Sequence, residues 1–153
     1  MKVNVILENN ILIVPTTEEH LDDIVEIDEE YSTKPWGKAL FVAELTHRFS
    51  YNFTLIYFDN VAGFANFWYV CDVIELNNFA IKSNFRNKGL GRKFLKFIIK
   101  VSLFLKAKKI FLEVKEDNFA AIKLYEEEDF KKIGIRSRYY SDGKDAILME
   151  RLL

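Results

Sequence analysis

Apolar and polar positions along this chain recur with two different periods, and the change from one to the other marks its elements. Val3 to Leu7 and Ile11 to Val14 are short β-rich runs around Glu8-Asn9-Asn10, which predicts a hairpin or one broken strand. Pro15-Thr16-Thr17-Glu18-Glu19 reads as a helix start, a threonine cap with carboxylates in the first turn. Leu21, Ile24, Val25 and Ile27 supply that helix's apolar stripe. Pro35 and Gly37 break the pattern. A second helix is expected from about Lys38 to Phe49, turning Leu40, Phe41, Ala43, Leu45 and Phe49 inward. Three β-rich runs follow, near Phe53–Phe58, Ala62–Val70 and Val73–Ile81. Only Asp59-Asn60 and Cys71-Asp72 divide them, so they are expected to be antiparallel neighbours.

The third run passes into Asn78-Phe79-Ala80-Ile81-Lys82-Ser83-Asn84-Phe85-Arg86-Asn87-Lys88-Gly89-Leu90-Gly91, which reads as strand, basic turn and helix start. From Leu90 to Leu105 the apolar positions Leu90, Phe94, Leu95, Ile98, Ile99, Val101, Leu103 and Leu105 cover more than half of a helix's circumference. Arg92, Lys96 and Lys100 form a narrow polar strip, so this helix is expected to be largely buried. Lys109 to Lys115 alternates as a strand and directs Glu113 away from the side of Leu112 and Val114. Asp117 or Asn118 caps a helix through about Glu127, and Phe130–Ser137 and Ala146–Leu152 close the chain as strands. The order is mixed α/β with an antiparallel front half.

At 153 residues, half of them apolar and 15% aromatic, the chain fits one packed domain spanning residues 1–153. The first eight residues hold too few apolar positions for a secretory core, no run reaches a membrane span, and Cys71 has no internal partner. A cytoplasmic protein with no membrane contact is expected. His20, His47 and Cys71 are far apart, so no metal is expected. The net charge of −1 conceals segregation: Leu76 to Leu112 carries ten Lys or Arg and no acidic residues, while Glu18 to Glu30 carries eight acidic residues and no Lys or Arg. One face is expected to attract anions and another cations.

The turn before the long helix is a place for phosphates, because a helix start exposes unpaired N–H groups and positive dipole, and Gly89 and Gly91 permit close approach. A dinucleotide fingerprint would want glycine where Phe94 stands, and a P-loop would want Gly-Lys-Ser/Thr where the chain has Gly-Arg-Lys. The antiparallel approach also argues against a Rossmann unit.

Arg86-x-x-Gly89-x-Gly91 between strand and helix resembles the acetyl-CoA signature of the GNAT N-acetyltransferases. The resemblance continues through Leu112-Glu113-Val114, Asn118, Ala121-Ile122, Leu124-Tyr125-Glu126 and Phe130, then Arg138-Tyr139-Tyr140 and Asp142-Gly143-Lys144. With Pro35-Trp36 it points to the RimI-type ribosomal-protein-alanine branch, over about residues 11 to 150. It implies a mixed, mostly antiparallel twisted sheet flanked by helices, and acetyl-CoA as co-substrate. By the same resemblance, the backbone of Phe79, Ala80 and Ile81 follows the pantetheine arm. Arg86, Asn87, Lys88, Gly89, Leu90, Gly91 and Arg92 surround the pyrophosphate, and Asn118 hydrogen-bonds the cofactor. Glu113 is implied as general base, Tyr125 as general acid, and Pro35, Trp36 and Tyr139 as acceptor walls.

The chemistry suits those residue types. A protonated amine cannot attack a thioester until a group such as a carboxylate takes a proton, and a phenol can protonate the departing thiolate. An α-amine, with a pKa of ~8 against ~10.4 for lysine, costs about 3 kcal/mol less to present neutral. The expected acceptor is a protein N-terminus, ribosomal proteins included, with the enzyme a monomer or weak dimer. The alternatives are a small amine such as a polyamine or drug, or a nucleic-acid-binding domain using Lys82 to Lys109; the GNAT reading expects no nucleic acid as partner. The chain departs from the family in Lys82-Ser83 for Asp-Pro, in Asp129-Phe130 for Gly-Phe, and in a shorter tyrosine loop without proline. Asp129 implies a small strain or a different helix cap.

Overall fold

A computed structural model describes residues 5–8 and 10–153 of the chain, apart from the side chains of Ile6 and Leu7. Its elements are β1 (Val5–Glu8), β2 (Ile11–Pro15), α1 (Leu21–Tyr31), α2 (Lys38–Thr46), β3 (Ser50–Tyr57), β4 (Asn60–Val70) and β5 (Val73–Ile81). After these come α3 (Leu90–Phe104), β6 (Lys109–Lys115), α4 (Phe119–Glu127), β7 (Lys131–Arg136) and β8 (Ala146–Leu152). Val3 and Asn9 of the expected first hairpin lie outside the described residues. All eight strands form one sheet in the order β1-β2-β3-β4-β5-β6-β8-β7. Only the β5–β6 pair is parallel, so the mixed, mostly antiparallel sheet expected from the sequence is the one observed.

Short turns set the antiparallel front half. Phe58-Asp59 and Cys71-Asp72 each place two consecutive residues at positive φ, the pattern of the primed hairpin turns whose twist matches that of paired strands. The sheet then separates two apolar layers. On one side α3 and α4 cover Phe53, Leu55, Phe67, Ile74, Leu76, Leu112 and Val114. On the other, Leu21, Ile24 and Ile27 of α1 and Phe41 of α2 pack on Phe64 and Ala80. The chain passes to α3 from β5 and returns as β6, and this crossover is what makes that one pair parallel.

Three local expectations are corrected. The Thr17 cap starts a single 3-10 turn, Glu18–His20, where the Thr17 N–H donates to His20 Nδ1, and the α-helix begins at Leu21. Helix α2 stops at Thr46 and turns Phe41 and Glu44 inward, leaving Leu40, Ala43 and Phe49 exposed. Glu44 displaces them because β4 supplies its donors: Asn66 Nδ2 at 3.1 Å and Trp68 Nε1 at 2.9 Å reach the same carboxylate oxygen. At the end of α3, Leu103 is exposed and Phe97 takes a buried position instead.

Asp129 resolves the question of the α4 terminus. It takes the left-handed conformation (φ 64°) usual for glycine; its N–H donates to the Glu126 carbonyl, and the Phe130 N–H donates to the Tyr125 carbonyl. This is a Schellman cap built on aspartate, and it seats Phe130 on Tyr125 at 5.5 Å between ring centroids. Lys82-Ser83 is tied down as well. Lys82 Nζ lies 3.3 Å from Glu26, while Ser83 donates to Glu30 through its N–H (3.1 Å) and its hydroxyl (2.8 Å).

Gly63 lies in β4 opposite Ile81, where a Cβ would fall 2.7 Å from the Ala80 carbonyl oxygen and 2.7 Å from Ile81 Cδ1. Gly63→Ala is therefore expected to cost about 1–3 kcal/mol of stability in urea unfolding, because the nearest obstacle is backbone.

Candidate active site

One irregularity in β5 sets the geometry of this region. The β4–β5 ladder pairs Asn66 with Asn78 and Phe67 with Leu76, leaving Asn77 unpaired as a bulge. The extra residue reverses which side chains face α3. Ile74 and Leu76 do so before it and Phe79 and Ile81 after it, while Asn78 and Ala80 turn towards α1. At the same point β5 leaves β6, whose pairing covers only Val73–Leu76 against Lys109–Leu112. Beyond the fork, Phe79 to Ile81 of β5 have no ladder partner towards β6, and Glu113 is paired only with Leu148 of β8.

The loop from β5 ends at Gly89, in the left-handed region at φ 75°, with Asn87 also at positive φ (61°). No side chain caps α3, so its first-turn N–H groups point out of the helix without a cap. A Cβ on Gly91 would meet only ordinary contacts, 3.5 Å to Leu124 and 3.7 Å to Ile81, so packing alone does not require that glycine. Arg86 folds back, its Nε donating to the Ile81 carbonyl at 3.0 Å. Arg92 turns to Glu127 and Glu128 of α4, leaving its backbone rather than its guanidinium on the first turn. Lys88 is exposed beside the turn. Asn118 caps α4, its Oδ1 accepting from the Ala121 N–H at 3.2 Å, which leaves its amide NH2 for another partner.

The sequence offered Lys82 to Lys109 as a basic surface, but the fold pairs much of it. Lys82 meets Glu26, Lys93 meets Glu8, Arg92 and Lys96 meet Glu128, Lys108 meets Asp72 and Lys109 meets Glu150.

Around the fork stand a carboxylate and several phenols. Glu113 is paired with Arg136 Nη2 at 3.2 Å and lies near the Tyr139 phenol. That carboxylate and then burial raise the Tyr139 phenol; burial and then Glu113 push Tyr140 up to about 12. Lys109 and Lys115 turn instead to Glu150 and Asp142. Tyr125 is 6% exposed and flanked by Phe79 and Phe130, and burial, with the nearby Tyr140, raises its phenol well above the ordinary range. Tyr31, at the end of α1, is raised by burial and by Asp28, Tyr125 and Tyr140. Tyr140 thus lies within electrostatic range of both Glu113 and Tyr125. Of the expected acceptor walls, Pro35 is exposed, Trp36 is half-buried against Phe41, and Tyr139 is exposed beside Arg136.

Asp28, Tyr31, Asn78 and Arg136 belong to this neighbourhood and were not singled out from the sequence as site residues. For Asp28 a signal existed: it lies seven residues after Leu21 and four after Ile24, so it falls on the apolar stripe of α1. Two further hollows, of about 450 and 210 Å3, are lined from the β1–β2 and β3–β4 turns and from Lys82 to Phe85, and include none of Glu113, Asn118 or Tyr125.

An uncapped helix start beside a forked sheet, with a carboxylate and a buried phenol across the fork, defines a site for moving a group from a phosphate-bearing donor to an acceptor that must lose a proton. The acetyltransferase (GNAT) family model matches residues 21–130, and this chain belongs to that family of N-acetyltransferases. It is 33% identical over 144 residues to the ribosomal protein bS18-alanine N-acetyltransferase of Salmonella typhimurium, covering 92% of this chain and 95% of that one. The crystal structure of the ribosomal-protein-S18-alanine N-acetyltransferase from Escherichia coli superposes with a TM-score of 0.85 at 30% identity, covering 93% of each chain. Ard1 from Thermoplasma volcanium has the same fold, with a TM-score of 0.87 at 21% identity, covering 94% of this chain and 98% of that one.

Burial raises the Asp28 carboxyl above its ordinary value, so the folded chain holds that proton to higher pH than the unfolded chain does. Stability then falls as pH rises from the ordinary aspartate value through the raised one. Asp28→Asn is expected to remove this slope, read as the difference between wild-type and variant melting temperatures across acidic pH.

Proposed function

We propose that this chain transfers the acetyl group of acetyl-CoA to the α-amino group of a protein N-terminus, of the ribosomal-protein-alanine type, as a single domain acting in the cytoplasm as a monomer or weak dimer. The observation that carries this reading is the fork between β5 and β6, with Glu113 on one arm and Phe79 to Ile81 on the other and Tyr125 packed beside it. The named acceptor of the Salmonella relative, 33% identical over nearly its whole length, supports the choice of acceptor.

In this reading the first-turn N–H groups of α3 and the turn from Asn87 to Gly91 hold the pyrophosphate, with Lys88 adding charge. The amide NH2 of Asn118 is available to the CoA arm, and the β5 backbone from Phe79 to Ile81 aligns the thioester. Glu113 accepts a proton from the incoming ammonium, and the freed amine attacks the thioester carbonyl carbon. The tetrahedral intermediate collapses with cleavage of the carbon–sulfur bond; Tyr125 gives its proton to the departing thiolate and regains one as the acetylated nitrogen sheds its second proton, while Glu113 returns the first to solvent. A phenol whose pKa is raised by burial is protonated at neutral pH, the state a proton donor must be in. Arg136 and Tyr139 fix the orientation of the Glu113 carboxylate. Pro35, Trp36 and Tyr139 border the acceptor.

Glu113→Gln and Tyr125→Phe are each expected to lower kcat about a hundredfold or more while calorimetric acetyl-CoA binding stays near wild type. Turnover of the double variant at the wild-type rate overturns the acid–base assignment. Offering acetyl-CoA with alanine- and methionine-starting peptides and with spermidine, then locating the acetyl group by mass spectrometry, tests the acceptor. Acetylation of spermidine alone would sink the N-terminal reading.

A further inference from the structure

Asp28 is a carboxylate in a position where an apolar side chain would pack. It is 1% exposed and shares its helix face with Leu21, Ile24 and Ile27. A buried carboxylate stabilises a fold poorly compared with an apolar residue of similar size, and it persists where its hydrogen bonds do something else. Its bonds here gather three separate segments. Oδ2 accepts from the Trp36 N–H at 2.7 Å, and the Asp28 carbonyl accepts from the Ser32 N–H at 2.9 Å. The Ser32 bond is the ordinary last-turn bond of α1, and the carboxylate ties the far end of the connection between α1 and α2, at Trp36, back to the helix. Oδ1 lies 3.5 Å from Asn78 Nδ2, across on β5.

Asn78 is the first residue after the Asn77 bulge and adjoins Phe79. A carboxylate only accepts, so the Asn78 NH2 must face Asp28; its Oδ1 is then left to accept the Tyr31 hydroxyl, which it does. Tyr31 closes α1, so this bond leads from β5 back to the helix that carries Asp28.

We infer that Asp28 is a positioning residue for the acceptor: through Trp36 and Asn78 it locks the Pro35-Trp36 wall to the strand that carries the thioester, so that the incoming amine and the acetyl group are in register. This rests on the proposed reading of Pro35-Trp36 as an acceptor wall. Register of this kind governs how often a bound acceptor meets the thioester in reactive geometry, and it is independent of the phosphate-binding turn at the far end of β5.

The test compares Asp28→Ala, Asp28→Asn and the exchanged pair Asp28→Asn with Asn78→Asp. Asp28→Ala is expected to raise the KM for an alanine-starting peptide about tenfold or more, with the KM for acetyl-CoA within about twofold. It is also expected to speed hydrogen exchange of the Trp36 amide. Asp28→Asn keeps an acceptor for Trp36 but sets one NH2 against another at Asn78, so it should keep Trp36 protected and still raise the peptide KM. The exchanged pair restores one carboxylate to one amide and leaves an acceptor for Tyr31, and should return the peptide KM towards wild type. The inference is overturned if both KM values rise together, if Trp36 exchange is unchanged in Asp28→Ala, or if the exchanged pair is no better than Asp28→Asn alone. Should Asp28→Ala fail to fold, the near-isosteric Asp28→Asn and the exchanged pair carry the comparison. A wild-type enzyme that acetylates no N-terminal peptide sinks the acceptor reading, and hydrogen exchange at Trp36 still decides the clamp.

Discussion

The geometry of the site depends on the single unpaired residue in β5. A strand alternates its side chains with a period of two, so one inserted residue exchanges the faces of everything after it. With Asn77 extra, Phe79 and Ile81 join the layer under α3, and Asn78 and Ala80 turn to α1. The ladder to β6 stops where the bulge begins, leaving the backbone of β5 without a partner on that side. In a packed sheet such a backbone must find another partner or meet water, so the fork is the place where an extended ligand can complete the sheet's hydrogen bonding.

The two helical layers then bring different groups to the fork. On one side, α3 offers an uncapped start after the left-handed Gly89, and α4 brings Asn118 and Tyr125 into the same region, two turns apart on one helix. On the other, α1 faces Asn78 with Asp28 and Tyr31, and the loop after β7 brings Tyr139 and Tyr140 to Glu113. In the proposed function, donor and acceptor would therefore approach the fork from opposite faces of the sheet.

The departures from the family pattern are absorbed by specific contacts rather than tolerated as defects. Lys82-Ser83 recruits Glu26 and Glu30 from α1, fastening that helix to the segment that follows β5. Asp129 takes a backbone conformation that glycine adopts more cheaply, and the cap it forms holds the Tyr125 carbonyl and seats Phe130 on the Tyr125 ring. In both places a side chain does by hydrogen bonding or charge what proline or glycine does by backbone preference.

Much of this was legible in the sequence because it is local. The strands from Val73 to Ile81, Lys109 to Lys115 and Ala146 to Leu152, the helix beginning at Leu90 and the Asn118 cap follow from period, turn chemistry and capping, which neighbours a few residues away decide. The Arg86-to-Gly91 turn and the block around Glu113 and Tyr125 stood out by their resemblance to the family, which spacing along the chain carries without the fold. The tertiary structure alone decided which partners those groups would have. Arg92 faces Glu127 and Glu128 instead of standing free, Glu113 meets Arg136 and Tyr139 rather than its strand neighbours Lys109 and Lys115, and Glu44 displaces Leu40 as an inward residue of α2. Asp28, Asn78 and Tyr31 form a cluster across about fifty residues of chain, and nothing near any one of them announces the other two. A buried polar group is placed by whichever donors and acceptors the fold carries to it, and those are set by the crossing of distant segments rather than by sequence spacing.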